Sequence, residues 1–174
     1  MKLWRNIYLL ISSLLCLSCS VSPPKGVRAV KNFSIDRYLG TWYEVARLDN
    51  RFERGLDHIT ATYALNPDGS LKVINQGFSA TQQQWRRSIG KAQFLDSPHR
   101  AALKVSFFWP FYGGYHVIAL DPEYRYALVA GPSRNYLWLL SRTPKLDNEE
   151  TESLLKIARE LDYPADNLIW VKQE

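Results

Sequence analysis

Residues 59–78 read ITATYALNPDGSLKVINQGF. Ile59 to Leu65 alternates in polarity, and Leu71 to Phe78 alternates again. Between them, Asn66-Pro67-Asp68-Gly69 is a turn, and Asp-Gly between two alternating runs is a strong short-range hairpin signal. The same pattern spreads both ways along the chain. Upstream, Trp42 to Leu48 is a strand-like run. Downstream, Trp85 to Leu95 closes at Asp96-Ser97-Pro98, and Ala101 to Phe108 precedes an aromatic loop, Trp109 to Gly114. Tyr115 to Leu120 turns at Asp121-Pro122-Glu123 into Tyr124 to Ala130. Gly131-Pro132-Ser133 then separates that run from Tyr136 to Ser141. About eight short strands joined by short turns predict an antiparallel sandwich or barrel.

One helix is predicted late. Asp147 caps it, Glu150 stands at the capping-box spacing, and Pro164 ends it. Leu154, Leu155, Ile157, Ala158 and Leu161 share one face, whereas Glu149, Glu152, Lys156 and Arg159 face water. The strands near Tyr115, Tyr126 and Tyr136 are apolar on both faces, so both faces are buried. A barrel interior on one side and the helix on the other account for this. Leu168 to Val171 is a candidate for a short final strand.

The chain has 174 residues, 46% hydrophobic and 22% charged, which suits one globular domain with a full core. Its start is read as a leader. Lys2 and Arg5 precede the apolar run Ile7 to Leu17, which is too short for a spanning helix and has the length of a signal-peptide core. Small residues flank Cys19, which marks it for lipidation, although Cys16 stands where a lipoprotein signal usually has Leu. The reading is a signal peptide over 1–18, removed, and a lipid-anchored tether over 19–31 that includes the extended Val21 to Lys25. Lys2 and Arg5 leave with the leader, so 20 basic residues face 17 acidic ones, a formal +3. With no basic run beyond Arg86-Arg87, nucleic acid is not expected as a partner. Cys16 and Cys19 are the only cysteines, which leaves no disulfide framework and no thiol nucleophile in the body. His58, His99 and His116 are scattered without ligand spacing, so no metal, cofactor or catalytic residue is expected.

On these residues the chain resembles the lipocalin family. Gly40-Thr41-Trp42-Tyr43-Glu44 matches the signature that opens the first strand. Asp121-Pro122-Glu123-Tyr124 stands near the family's second signature turn, with Leu120 in place of Thr and one extra residue. Arg142 matches the third signature. With the leader and the late helix, the likeness is greatest to bacterial outer-membrane lipoprotein lipocalins. It implies an all-β, eight-stranded up-and-down barrel over 32–174 with one C-terminal α-helix packed outside. It also implies a structural pairing of Trp42 with Arg142. Cys19 would become a diacylglyceryl cysteine carrying palmitate at the outer membrane, facing the periplasm. The implied partner is a fatty acid, lysophospholipid or related membrane lipid, stored or transported. A homodimer is compatible with the sequence. The rival readings are a structural or interaction lipoprotein with a filled barrel and, further off, a lipocalin-type enzyme.

Alternation then selects the interior. Lys72, Lys91 and Lys104 avoid an apolar barrel, because a buried unpaired ammonium is costly. That turns Leu71, Val73 and Asn75 inward, then Gly90, Ala92 and Phe94, then Leu103, Val105 and Phe107. Ile59, Ala61, Tyr63 and Leu65 form the more apolar set of the second strand. The strand near Tyr115 gives no vote, and His116 and Ile118 are chosen for the interior. The expected ligand-binding set is Tyr63, Val73, Asn75, Ala92, Phe94, Leu103, Val105, Phe107, His116 and Ile118. For Phe107 to Tyr112, rim packing, a ligand portal, membrane-surface contact and a dimer interface all fit.

Overall fold

The structure is a computed structural model that describes residues 20–173. The leader and Cys19 lie outside the described residues. The strands are β1 (Gly40–Arg47), β2 (Leu56–Leu65), β3 (Leu71–Ser79), β4 (Gln84–Phe94), β5 (Ala102–Phe108), β6 (Phe111–Leu120), β7 (Tyr126–Ala130), β8 (Leu137–Ser141) and β9 (Ile169–Trp170). A single-turn helix, α1 (Ile35–Tyr38), precedes β1, and α2 (Asn148–Glu160) follows β8. Strands β2 to β8 pair in sequence order, and β1 pairs with both β8 and β2, which closes an eight-stranded up-and-down barrel. Closure removes the unpaired edges an open sheet would leave.

The 66–70 turn shows how sequence sets register. Asn66 N donates to Ser70 O at 2.8 Å, Gly69 N donates to Asn66 O at 3.0 Å, and Gly69 sits at φ +77°. A residue with a Cβ would be strained there. The turn aligns Leu65 with Leu71 and Tyr63 with Val73.

Pairing of β1 with β2 stops at Tyr43 opposite Thr60, and β9 takes the vacated edge at Ala46 and Arg47. The tail beyond β9 fills the remaining gap. His58 N donates to Lys172 O at 2.7 Å, and Gln173 Nε2 donates to Glu44 O and Ile59 O at 2.7 and 3.0 Å.

The core has two layers. Outside the barrel, Leu154, Leu155 and Ala158 of α2 pack on Val45, Ala46, Ile118, Leu128, Leu137 and Leu139. Each buried leucine contributes about 1.5–3 kcal/mol. Inside, Phe33, Tyr38, Trp42, Tyr63, Leu71, Val73, Leu103, Val117, Val129 and Leu140 form a second cluster. The strands apolar on both faces therefore lie between the two layers. The Asp147–Glu150 capping box starts α2. The helix stops at Glu160, before Pro164, because Asp162 enters the left-handed region at φ +59°.

Two further differences have local causes. Leu65 is exposed, because it lies at the end of β2 beyond the packed interior. The expected aromatic loop shrinks to Trp109-Pro110, with a cis peptide bond, since β6 already begins at Phe111 and pairs with Phe108.

Candidate ligand-binding site

The barrel has a closed end and an open end. At the closed end Trp42 is fully buried, and its Nε1 donates to Tyr38 O at 2.9 Å. Arg142 lies over the indole, its Cζ 4.0 Å from the ring centroid. Its guanidinium also donates to the carbonyls of Thr41, Arg37 and Leu39, each at 2.9 Å. Gly40 adopts φ +92°, which lets β1 begin directly beneath this lid.

Above the lid is an apolar cavity of about 110 Å³ that opens to solvent at its upper end. Tyr63, Val73, Asn75, Ala92, Leu103, Val105 and Phe107 line it, together with Ile59, Ala61 and Leu71. Phe94 has the inward orientation but packs lower, 6.3 Å from the Phe33 ring and outside the cavity lining.

The orientation expected for His116 and Ile118 is wrong. On β6 it is Tyr115 and Val117 that face inward. His116 is buried outside the barrel, where its Nε2 meets Val21 O at 2.9 Å, so that nitrogen carries the proton. Burial lowers its pKa, opposed by the Val21 bond. Ile118 joins the layer beneath α2. Both faces of β6 are buried, so polarity gave no vote, and the hydrogen bonds available to Tyr115 and His116 decide the matter.

Tyr115 Oη is hydrogen-bonded to Tyr38 Oη at 2.7 Å and to Tyr63 Oη at 2.8 Å. Burial raises the pKa of all three phenols, so they remain protonated donors at neutral pH. Three hydroxyl protons serve two mutual bonds, which leaves one donor free to meet a ligand or a water.

Nearer the mouth is a polar group that alternation did not foresee. Arg47 Nη1 donates to Glu44 Oε1 at 3.2 Å, and Arg47 Nη2 donates to Glu53 O at 2.9 Å. Trp138 Nε1 donates to Glu53 Oε2 at 2.9 Å, and Asn50 holds the same carboxylate. Burial and the neighbouring Glu53 push the Glu44 carboxyl well above the usual carboxylate range, against Arg47. Two buried polar atoms lack a protein partner here, Arg47 Nε and Asn75 Oδ1. Strict alternation would put Glu44 and Arg47 on opposite faces, but a register shift between Glu44 and Ala46 brings them together. The lone Glu and Arg in an otherwise apolar run from Trp42 to Leu48 were the available signal. Among the described residues no group of three His, Cys, Asp or Glu side chains has the arrangement of a metal site.

An inward apolar cup with phenols below and a partly unsatisfied charged group above can hold a long apolar ligand by burial and orient its polar end by hydrogen bonds. The profile of the lipocalin-like domain family matches residues 33–173. The chain is 53% identical over 174 residues to outer membrane lipoprotein Blc of Escherichia coli (strain K12), covering 99% of this chain and 98% of that one. It is 38% identical over 154 residues to temperature-induced lipocalin-1 of Arabidopsis thaliana, covering 83% and 81%. Among solved structures, insecticyanin from the tobacco hornworm Manduca sexta aligns with a TM-score of 0.65 at 16% identity, covering 84% of each chain.

Proposed function

The chain belongs to the lipocalin family, whose barrels bind hydrophobic ligands, and from that premise we propose that it carries a fatty acid or lysophospholipid at the bacterial outer membrane, tied there by Cys19 and facing the periplasm. The observation that carries the reading is the cavity: aliphatic walls, one open end, and the unsatisfied amide oxygen of Asn75 in its lining. Burying an acyl chain contributes about 0.8 kcal/mol per CH₂, so affinity needs no chemistry beyond removal from water. Asn75 would then meet the head group, and the phenols the distal chain.

The anchor reading rests on Cys19 and on the relatives named outer membrane lipoprotein. The cavity weighs against a structural barrel filled with its own side chains. The enzyme reading lacks a cysteine within the body of the chain.

The test is native mass spectrometry of the full lipoprotein purified from membranes, with extraction and identification of bound lipid. The expected result is one acyl lipid per barrel. A barrel that retains no acyl lipid, and takes up none when offered lysophospholipid, overturns the proposal.

A further inference from the structure

The start of the described chain is held against the barrel. Gly114 N on β6 donates to Ser20 O at 3.2 Å, and the buried His116 donates from Nε2 to Val21 O at 2.9 Å. Gly114 is required for this approach, because a Cβ there would come within 2.6 Å of Val21 O and 2.8 Å of His116 Nε2. Farther along, Val30 N donates to Val117 O, and Ala101 N donates to Val30 O. The segment from Ser20 to Phe33 is thus fastened to the barrel at both ends.

The upper fastening lies near the mouth. Gly114 is three residues from Phe111, where β6 begins, or about 10 Å at strand rise. Cys19 precedes Ser20 directly in the sequence.

The most exposed aromatic rings gather at that same mouth. Phe108, Trp109 and Phe111, on the hairpin joining β5 to β6, are 76%, 83% and 60% exposed. Phe52 on the β1–β2 loop and Trp85 at the start of β4 add two more. Arg51, Arg86 and Arg87 are exposed at the same end, where Arg54 is paired with Asp49. Rings of this kind favour the level of lipid head groups, and arginines favour anionic ones.

We propose that the open rim rests on the surface of the membrane that holds the Cys19 acyl chains, with Phe108, Trp109 and Phe111 seated among the lipid head groups. The clasp of Gly114 and His116 on residues 20–21 sets this orientation by keeping the anchor beside the rim. The occupant is a bilayer surface containing anionic lipid. The inference rests on the reading of Cys19 as the lipidated residue. It gives the aromatic hairpin a purpose, because a ligand could pass between bilayer and cavity without crossing bulk water.

The experiment uses the full lipoprotein reconstituted into vesicles of phosphatidylethanolamine and phosphatidylglycerol, with part of the acyl chains brominated. Tryptophan quenching is the readout. Trp109→Phe should lower the quenching by about twofold or more, because Trp109 is the most exposed ring at the interface. Gly114→Ala should lower it in a chain that still melts as wild type. If that variant does not fold, His116→Leu removes the other bond of the clasp, from Nε2 to Val21 O. Unchanged quenching in both the rim and clasp variants overturns the proposal. A rim buried in a homodimer, detected by sedimentation in vesicles and lost in Phe108→Ser, also overturns it. Cys19→Ala combined with Phe108→Ser and Trp109→Ser separates the two readings: a chain that stays on the vesicles with both contacts removed refutes the anchor, whereas quenching at Trp109 in the lipidated chain reports the rim.

Discussion

The two ends of the barrel are built on opposite rules. At the closed end a single guanidinium covers the Trp42 indole and satisfies three carbonyls, and the Asp121 turn is bound by Glu123 N and by Arg125. At the open end Arg47 Nε and Asn75 Oδ1 are buried without partners, and large aromatic rings stand in solvent. Polar satisfaction and packing stabilise a fold, whereas buried unsatisfied groups and exposed apolar rings cost stability unless something else meets them. The difference teaches that the lower half of the barrel holds the structure and the upper half is shaped for what it contacts.

The largest expected effect belongs to the closed end. Arg142→Ala removes the stack on Trp42 and leaves carbonyls of Arg37, Leu39 and Thr41 without their donor, so it should destabilise the domain by about 2–4 kcal/mol. Chemical denaturation measures this, and acyl-ligand affinity should hold. Unchanged stability with altered ligand preference would erase the distinction between the ends.

Tyr115→Phe is a smaller perturbation at the boundary between the two halves. It strips the shared partner from Tyr38 and Tyr63 and should cost about 1–2 kcal/mol. A neutral result in thermal melting would mean that water already serves those hydroxyls.

Glu44 sharpens the comparison through pH. Its folded pKa stands above the ordinary value, so between the two the folded chain binds more protons than the unfolded one. Stability therefore falls as pH rises through that window. His116 has the opposite slope: its folded pKa is lowered, so its contribution fades as pH falls below the ordinary histidine range. Glu44→Gln should remove the first slope and leave the second. A variant whose stability varies with pH as the wild type does would show that the mouth cluster is not strained by its buried acid.

The smallest effect is expected outside the wall. Lys104 lies outside the cavity lining, its ammonium over the Tyr112 ring, and Lys104→Ala should change ligand affinity by less than about twofold. A tenfold loss would put the ligand on the outer face of β5.

The sequence disclosed the closed end and the walls better than the mouth, for physical reasons. Asp68-Gly69 fixes a hairpin, and once Lys72, Lys91 and Lys104 are kept out of an apolar interior, alternation orients β3, β4 and β5. Alternation gives the face and not the depth, which is why Phe94 has the inward orientation yet lies below the cavity. It fails on β6, where both faces are buried, and on β1, where a register shift turns Arg47 to the same side as Glu44. Tyr38 gave no local signal, because the phenol cluster joins residues far apart in sequence. The clasp at Gly114 was equally hidden, since nothing local says that a tether will return to the barrel wall.

The central claim is that an acyl chain enters the barrel between these two ends. Val105 lines the cavity midway up β5, opposite Ala92 on one side and Gly113 on the other. Titration of a fluorescent fatty acid into Val105→Trp, with circular dichroism and melting to verify the fold, tests the claim most directly. The account predicts a folded barrel that no longer binds the probe. A folded Val105→Trp barrel that binds it as the wild type does would contradict the account, because the ligand would then have to sit outside the cavity.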